Sequence, residues 1–361
     1  MGKLTWTDIA SLAVTFVTLP FVMGWEVSKL LVFPAKGRGV AKTALSASVR
    51  HLMSHTTTAQ IQALSGTSRQ AYEAWAKRNK LPITVESLVD GSALFWIGTK
   101  RTDRVVLYVH GGGYFSPLTD MGLNFMSYLK KQLQDQGVES GFAVLQYSLL
   151  PDVFPTQLRQ ISVAVDHLLA TGLDPSNLQL IGDSAGGNLL VQFLSHLAHP
   201  IENIGPITPF KSPLAGVCLV SPWVKSQSTS LSFTQSSSTD ILSDTVTLGW
   251  GKDYFGGVQE SLRPYVEPIY GPIGWFQGIT KYAPRLLVTA GEEERFKDDI
   301  VDLVETRLSP AGVDVEFLIV EGGTHDDPCF DFFLSPNPAS VHSSVRVVVD
   351  WIKEGLVPGR S

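Results

Sequence analysis

Leu178-Gln179-Leu180-Ile181-Gly182-Asp183-Ser184-Ala185-Gly186-Gly187-Asn188-Leu189-Leu190 is the stretch from which the fold can be read. An apolar run reaches Gly182, a tight turn carries Ser184, and a helical pattern follows through Leu189, Leu190, Phe193, Leu194 and Leu197. Strand, turn and helix in that order are the setting of a nucleophile elbow. The turn is sharp, so the residues two before and two after the serine must be nearly free of side chain, and Gly182 and Gly186 meet that demand. A G-x-S-x-G by itself also fits a serine capping a buried helix. A second stretch decides between the two. Val105 to Val109 reads as a buried strand and ends in His110-Gly111-Gly112-Gly113-Tyr114. Its glycines let backbone N–H groups approach a ligand oxygen, which an oxyanion hole requires. The loop lacks both the Lys-Ser/Thr ending of a P-loop and the spacing of a dinucleotide fingerprint. His110 precedes the serine and reads as a residue that orients the loop, since in this order of motifs the base comes last.

HGGGY followed by GDSAGGN resembles the α/β-hydrolase fold, and specifically the hormone-sensitive-lipase-like esterases. Between the two, Tyr147 to Pro155 (YSLLPDVFP) is similar to that family's Y-R-L-A-P-E-x-x-F-P segment. It departs by Ser148 for Arg, Asp152 for Glu and a loop one residue shorter. The resemblance runs from about Arg104 to the C-terminus and thins out before residue 80. The pattern resembles most the family's fungal members of unknown or biosynthetic role, and a substrate from secondary metabolism is one expectation this raises.

The resemblance also places the acid and the base. The family pattern G-x-x-D-x-L-x-D, matched from Gly291, puts the acid at Glu294, with Phe296 at the Leu position and Asp298 at the second Asp. Either carboxylate can hold an imidazole tautomer, and Asp298 stays open as the alternative acid. The family's G-x-x-H turn matches Gly322 and His325 after the last strand, Val315 to Val320. The order Ser184, Glu294, His325 is that of the hydrolase triad. In this reading Gly112, Gly113 and Ala185 donate N–H groups to the oxyanion, and one such donor is typically worth about 3 kcal/mol. Tyr114 and Trp223 are expected in the substrate pocket.

Along the chain, Ile83 to Val89 and Ala93 to Ile97 read as strands joined by an Asp90-Gly91 turn. Helices over about Gly122 to Gln134 and Thr156 to Ala170 alternate with strands over Phe142 to Tyr147, Ala215 to Ser221 and Arg285 to Gly291. Such βαβ alternation predicts an α/β fold with a mostly parallel sheet flanked by helices. From Lys36 to Asn79 the pattern is helical, with breaks at 54–58 and 65–68. Residues 225–284 interrupt the alternation with a Ser/Thr-rich tract (226–239) and the rings Trp250, Tyr254, Phe255, Tyr265, Tyr270, Trp275 and Phe276. A connection this long and aromatic is expected to be a lid over an apolar pocket. Asp240 reads as a cap of a lid helix, without a chemical role. The expected division is residues 1–80, an apolar segment with lid helices, and residues 81–361, the catalytic domain carrying the lid.

With 44% hydrophobic and 17% charged residues, the chain can bury a large core, and its net charge of −6 argues against nucleic acid. Cys218 and Cys329 form neither a disulfide framework nor a zinc pattern, so no metal or other cofactor is expected. Ile9 to Trp25 is almost uncharged but short for a membrane span. It fits a span, an interfacial helix or a helix capping the active site. Lys29, Lys36, Arg38 and Lys42 after it, against Lys3 before it, predict a body on the cytosolic side of a membrane, and no Asn-x-Ser/Thr sequon occurs. The implied reaction is hydrolysis of apolar carboxylic esters through an acyl-enzyme. Acyl transfer or cyclisation from the same intermediate, or binding without turnover, are the alternatives.

Overall fold

The short apolar runs between residues 83 and 320 pair into one eight-stranded sheet. A computed structural model of the protein describes residues 4–30, 32, 39–204, 208–235, 240–338 and 341–357. The strands are β1 (Ile83–Ser87), β2 (Ala93–Ile97), β3 (Val105–Val109), β4 (Gly141–Gln146), β5 (Leu178–Asp183), β6 (Gly216–Val220), β7 (Arg285–Gly291) and β8 (Asp314–Val320). Their order across the sheet is β1-β2-β4-β3-β5-β6-β7-β8. β2 pairs antiparallel with β1 and β4, and every other pair is parallel. The α/β fold with a mostly parallel sheet is the architecture expected from the sequence.

Both faces of the sheet are covered, which explains why β3 (VVLYV) is apolar throughout and buried at every position. Val105, Leu107 and Val109 join one core with α6 (Thr156–Ala170) and α7 (Ser184–Ala198). Val106 and Tyr108 join the other, with α4 (Ser68–Arg78), α5 (Asp120–Asp135) and the C-terminal helix Ser343–Leu356. Each fully buried Leu, Val or Phe in such layers contributes about 1.5–3 kcal/mol relative to exposure. Cys218 and Cys329 are free and buried in the second core, where they pack as small apolar groups.

The helical N-terminal region comprises α1 (Trp6–Lys29), α2 (Val40–His55), α3 (Thr58–Ser65) and α4. Thr57 and Thr67 form capping boxes with Gln60 and Gln70. These caps end one helix and begin the next at the breaks read from the sequence. α1 packs along α2. Lys36 and Arg38 lie outside the described residues, as do residues 236–239 of the Ser/Thr-rich tract. Lys42 is described, and it is not a free flanking cation: its ammonium pairs with Asp327 at 2.5 Å and Asp331 at 3.2 Å.

Candidate active site

Five loops at the carboxyl ends of the parallel strands converge on Ser184, the place where ligands bind in such sheets. At the β5–α7 turn Ser184 has φ +49°, a left-handed conformation that costs energy for a residue with a side chain. The glycines make the turn sterically feasible. A Cβ on Gly182 would meet the Gly186 carbonyl carbon at 2.7 Å, and one on Gly186 would collide with the Val109 carbonyl oxygen. The elbow expected from the sequence is thus enforced by backbone crossing backbone.

The relay is continuous. Ser184 Oγ lies 2.8 Å from His325 Nε2, and His325 Nδ1 lies 2.6 Å from Glu294 Oε1. All three side chains are buried, with Ser184 7% exposed. The second oxygen of Glu294 accepts the Gly291 N–H and the Ser221 hydroxyl, each at 2.8 Å. Asp298 sits elsewhere. Its carboxylate accepts the Ser232 N–H at 2.8 Å, and it is half-buried. The alternative acid therefore does not reach the histidine.

Burial alone would lower the pKa of His325. Asp326, with Oδ2 3.4 Å from Nε2, outweighs it together with the Glu294 hydrogen bond and Asp240, and the pKa is pushed up to about 10. His110 is the contrast. Burial lowers its pKa to about 4, so it is neutral, and Nδ1–H donates to the Gly111 carbonyl at 2.7 Å. Its ring stacks on Tyr147 at 4.5 Å, whose hydroxyl donates to the His110 carbonyl. His110 therefore braces the glycine loop, as the sequence suggested.

The glycine loop is also tied to the elbow. Asp183 Oδ1 accepts the Gly111 N–H at 2.9 Å and the Tyr108 hydroxyl at 2.6 Å. Gly112 and Gly113 have φ +99° and +60° and line the cavity beside Ser184. Ala185 follows Ser184 in the first turn of α7 and is fully buried. The cavity has a volume of about 100 Å³. Val49 and Met53 of α2, Leu242 and Trp250 of residues 225–284, and Phe330 and Phe333 after His325 enclose it.

Two expected pocket residues do not line it. Tyr114, at φ +63°, turns its ring away to stack on Tyr254 at 3.6 Å, and its hydroxyl donates to Asn188. Trp223 lies flat against Phe296 and edge-on to Phe255. Of the seven rings noted in residues 225–284, Trp250 lines the cavity, and the rest pack elsewhere. Tyr265 and Trp275, for example, bond to the end of α7 through the His199 carbonyl and Ser195.

Asp240 and Ser221 carry more than the sequence revealed. Asp240 caps no helix. It is buried, with one oxygen accepting the His325 N–H at 3.1 Å and the other the Arg295 N–H at 2.9 Å. Its own carbonyl accepts from Arg50 of α2 at 2.6 Å. The Ser221 hydroxyl accepts the Asp326 N–H at 3.0 Å while donating to Glu294. One feature of the sequence bore on Ser221: it ends a strand at the ligand-binding edge. Among the described residues no group of three or more His, Cys, Asp or Glu side chains is arranged to hold a metal ion.

The family described as alpha/beta hydrolase fold matches residues 106–327, well over half of the chain. This protein is an α/β-hydrolase. The α/β-hydrolase is 31% identical over 226 residues to the acetyl-hydrolase of Streptomyces hygroscopicus, covering 62% of this chain and 68% of that one. It is 26% identical over 284 residues to esterase LipU of Mycobacterium tuberculosis, covering 76% and 85%. It spans a smaller share, 54% to 66%, of three further curated relatives. Among solved structures, an esterase of the bacterial hormone-sensitive lipase family superposes with a TM-score of 0.67 at 26% identity, covering 89% of this chain and 100% of that one. The α/β-hydrolase thus stands among the hormone-sensitive-lipase-like enzymes, and its reaction class is carboxylic ester hydrolysis.

Proposed function

We propose that the protein hydrolyses small apolar esters through an acyl-enzyme formed on Ser184. The relay of 2.8 and 2.6 Å from Ser184 through His325 to Glu294 carries this reading. In it, His325 Nε2 takes the Ser184 proton as Oγ attacks the carbonyl carbon, and Nδ1–H stays bonded to Glu294. Gly112, Gly113 and Ala185 N–H groups receive the oxyanion. His325 then returns the proton to the leaving alcohol, and water, deprotonated in turn by His325, releases the acid. The cavity is small beside the roughly 300–1,000 Å³ of pockets for drug-sized ligands, which supports a short acyl group. With p-nitrophenyl esters from acetate to decanoate, kcat/KM should fall beyond butyrate. A maximum at decanoate would contradict the small cavity.

A second reading is acyl transfer to an alcohol or amine. The 7% exposure of Ser184 under an apolar roof favours it, because a dry site lets another nucleophile outcompete water.

The proposed organisation keeps residues 1–80 as a cap, residues 81–361 as the catalytic domain and residues 225–284 as its lid. α1 is proposed as an interfacial helix rather than a span. It is long and apolar enough to cross a membrane. Yet its polar side is bonded to the cap: Thr18 to His51 at 2.9 Å, Ser11 to Gln60 at 2.7 Å, and Glu26 to Arg50 at 3.5 Å. Trp6, Val14, Val17, Phe21 and Trp25 point outward and are 62–86% exposed, an arrangement suited to a lipid surface.

A further inference from the structure

We propose that Asp326 is a specificity-determining residue of the reaction cavity, receiving a hydrogen-bond donor, hydroxyl or ammonium, that the substrate carries beside the scissile ester. The proposal rests on the esterase reading above. Asp326 follows His325 directly and lines the same cavity as Ser184. It has φ +58°, a left-handed conformation that only glycine, asparagine and aspartate adopt at all readily. Its backbone is fixed there by the N–H bond to Ser221.

The side chain is 5% exposed, and its Oδ1 has no hydrogen-bond partner among the described residues. Oδ2 lies 3.4 Å from His325 Nε2, the nitrogen that faces Ser184. The neighbouring carboxylates are filled. Glu294 bonds His325, Gly291 and Ser221, while Asp240 bonds the His325, Ile241 and Arg295 amides. Asp183 holds Tyr108 and Gly111.

No Lys or Arg lines the cavity. The basic groups nearest in the fold are engaged elsewhere: Lys42 pairs with Asp327 and Asp331, and Arg50 with Glu26 and the Asp240 carbonyl. A buried carboxyl oxygen without a partner is costly, and buried polar atoms in folded proteins are otherwise paired. Burial and the adjacent carboxylates accordingly push the Asp326 pKa well up. A donor arriving on the substrate supplies the missing bond at a point beside the reacting serine. An ester without one leaves it unmade, and sites of this kind discriminate strongly between the two.

Four acetate esters of similar size test this with the purified full-length chain near neutral pH: propyl, 2-methoxyethyl, 2-hydroxyethyl and 2-(dimethylamino)ethyl acetate. The quantity read is the ratio of kcat/KM to that of propyl acetate. The ratio should be about tenfold or more for at least one donor ester and about one for the methoxy ester. Asp326→Asn and Asp326→Gly both suit φ +58° and should fold. The glycine variant should bring the ratio to about one. The asparagine variant should keep it for a hydroxyl and lose it for an ammonium, which tells the two donors apart. A wild-type ratio near one would overturn the proposal, as would equal losses on all four esters with the ratio unchanged. If the wild type turned over none of the four, the esterase reading would fall with it.

Discussion

Glu294 spends one oxygen on His325 and the other on Gly291 and Ser221, so it fixes both the imidazole and the loop that carries the acid. Glu294→Gln should lower kcat by about 10³–10⁴-fold, the size seen when a triad acid loses its charge but keeps its shape. Asp298→Asn should change kcat only a few-fold, since Asp298 bonds the Ser232 amide and not His325. Steady-state kinetics of the two variants would show the reverse ranking if Asp298 were the acid. The base has its own signature. His325 must be neutral to accept the Ser184 proton, and its pKa is pushed up to about 10 by Asp326 and Glu294 against burial. Activity should therefore rise with pH through an alkaline midpoint. Asp326→Asn removes the carboxyl group beside His325 Nε2, disfavours the imidazolium and should move that midpoint to lower pH. An unchanged profile of kcat/KM against pH would contradict this account. At this scale Ser184, His325 and Glu294 were legible, because motif spacing lies along the chain. Asp240 and Ser221 were not, because neither stands in a motif that marks its role, and their bonds to His325 and Glu294 form only in the fold. Tyr114 was misplaced because adjacency to the glycines says nothing of direction, and its φ of +63° sends the ring to Tyr254.

Among the elements, α1 departs most from ordinary packing. A soluble surface helix hides its apolar stripe, whereas α1 turns Thr15, Thr18 and Glu26 inward and leaves Trp6, Val17, Phe21 and Trp25 in the open. Its 24 residues extend about 36 Å at 1.5 Å per residue. The sequence showed the apolar run but not which side would face the protein, since that depends on His51 of α2 and Gln60 of α3. If α1 serves as a surface anchor, the full-length protein should bind phospholipid vesicles and be released by carbonate. A chain lacking residues 1–29 should stay soluble and keep most of its esterase activity, because α1 buries little of itself and α2, not α1, lines the cavity. Loss of activity in the shortened chain, with the full-length protein soluble from the start, would instead make α1 part of the lid.

For the whole molecule, the sheet does the assembling. β3, β5, β6, β7 and β8 are parallel neighbours, and their carboxyl ends deliver the glycine loop, Ser184, Ser221, Glu294 and His325 to one point. That much followed from βαβ alternation, because parallel strands buried on both faces write themselves as unbroken apolar runs. The roof did not. It is built from α2, residues 241–250 and the segment after His325, three pieces far apart in sequence whose aromatic content gave no hint of which ring would face inward. The central claim is that this assembly makes Ser184 a nucleophile. Intact-mass spectrometry after treatment with a fluorophosphonate tests it most directly. The wild-type chain should gain one phosphonyl adduct that maps to Ser184 and lose its esterase activity in parallel. Ser184→Ala, with its fold unchanged by circular dichroism, should gain none and hydrolyse no ester. An adduct on the alanine variant, or an unlabelled wild type that still turns over esters, would contradict the account.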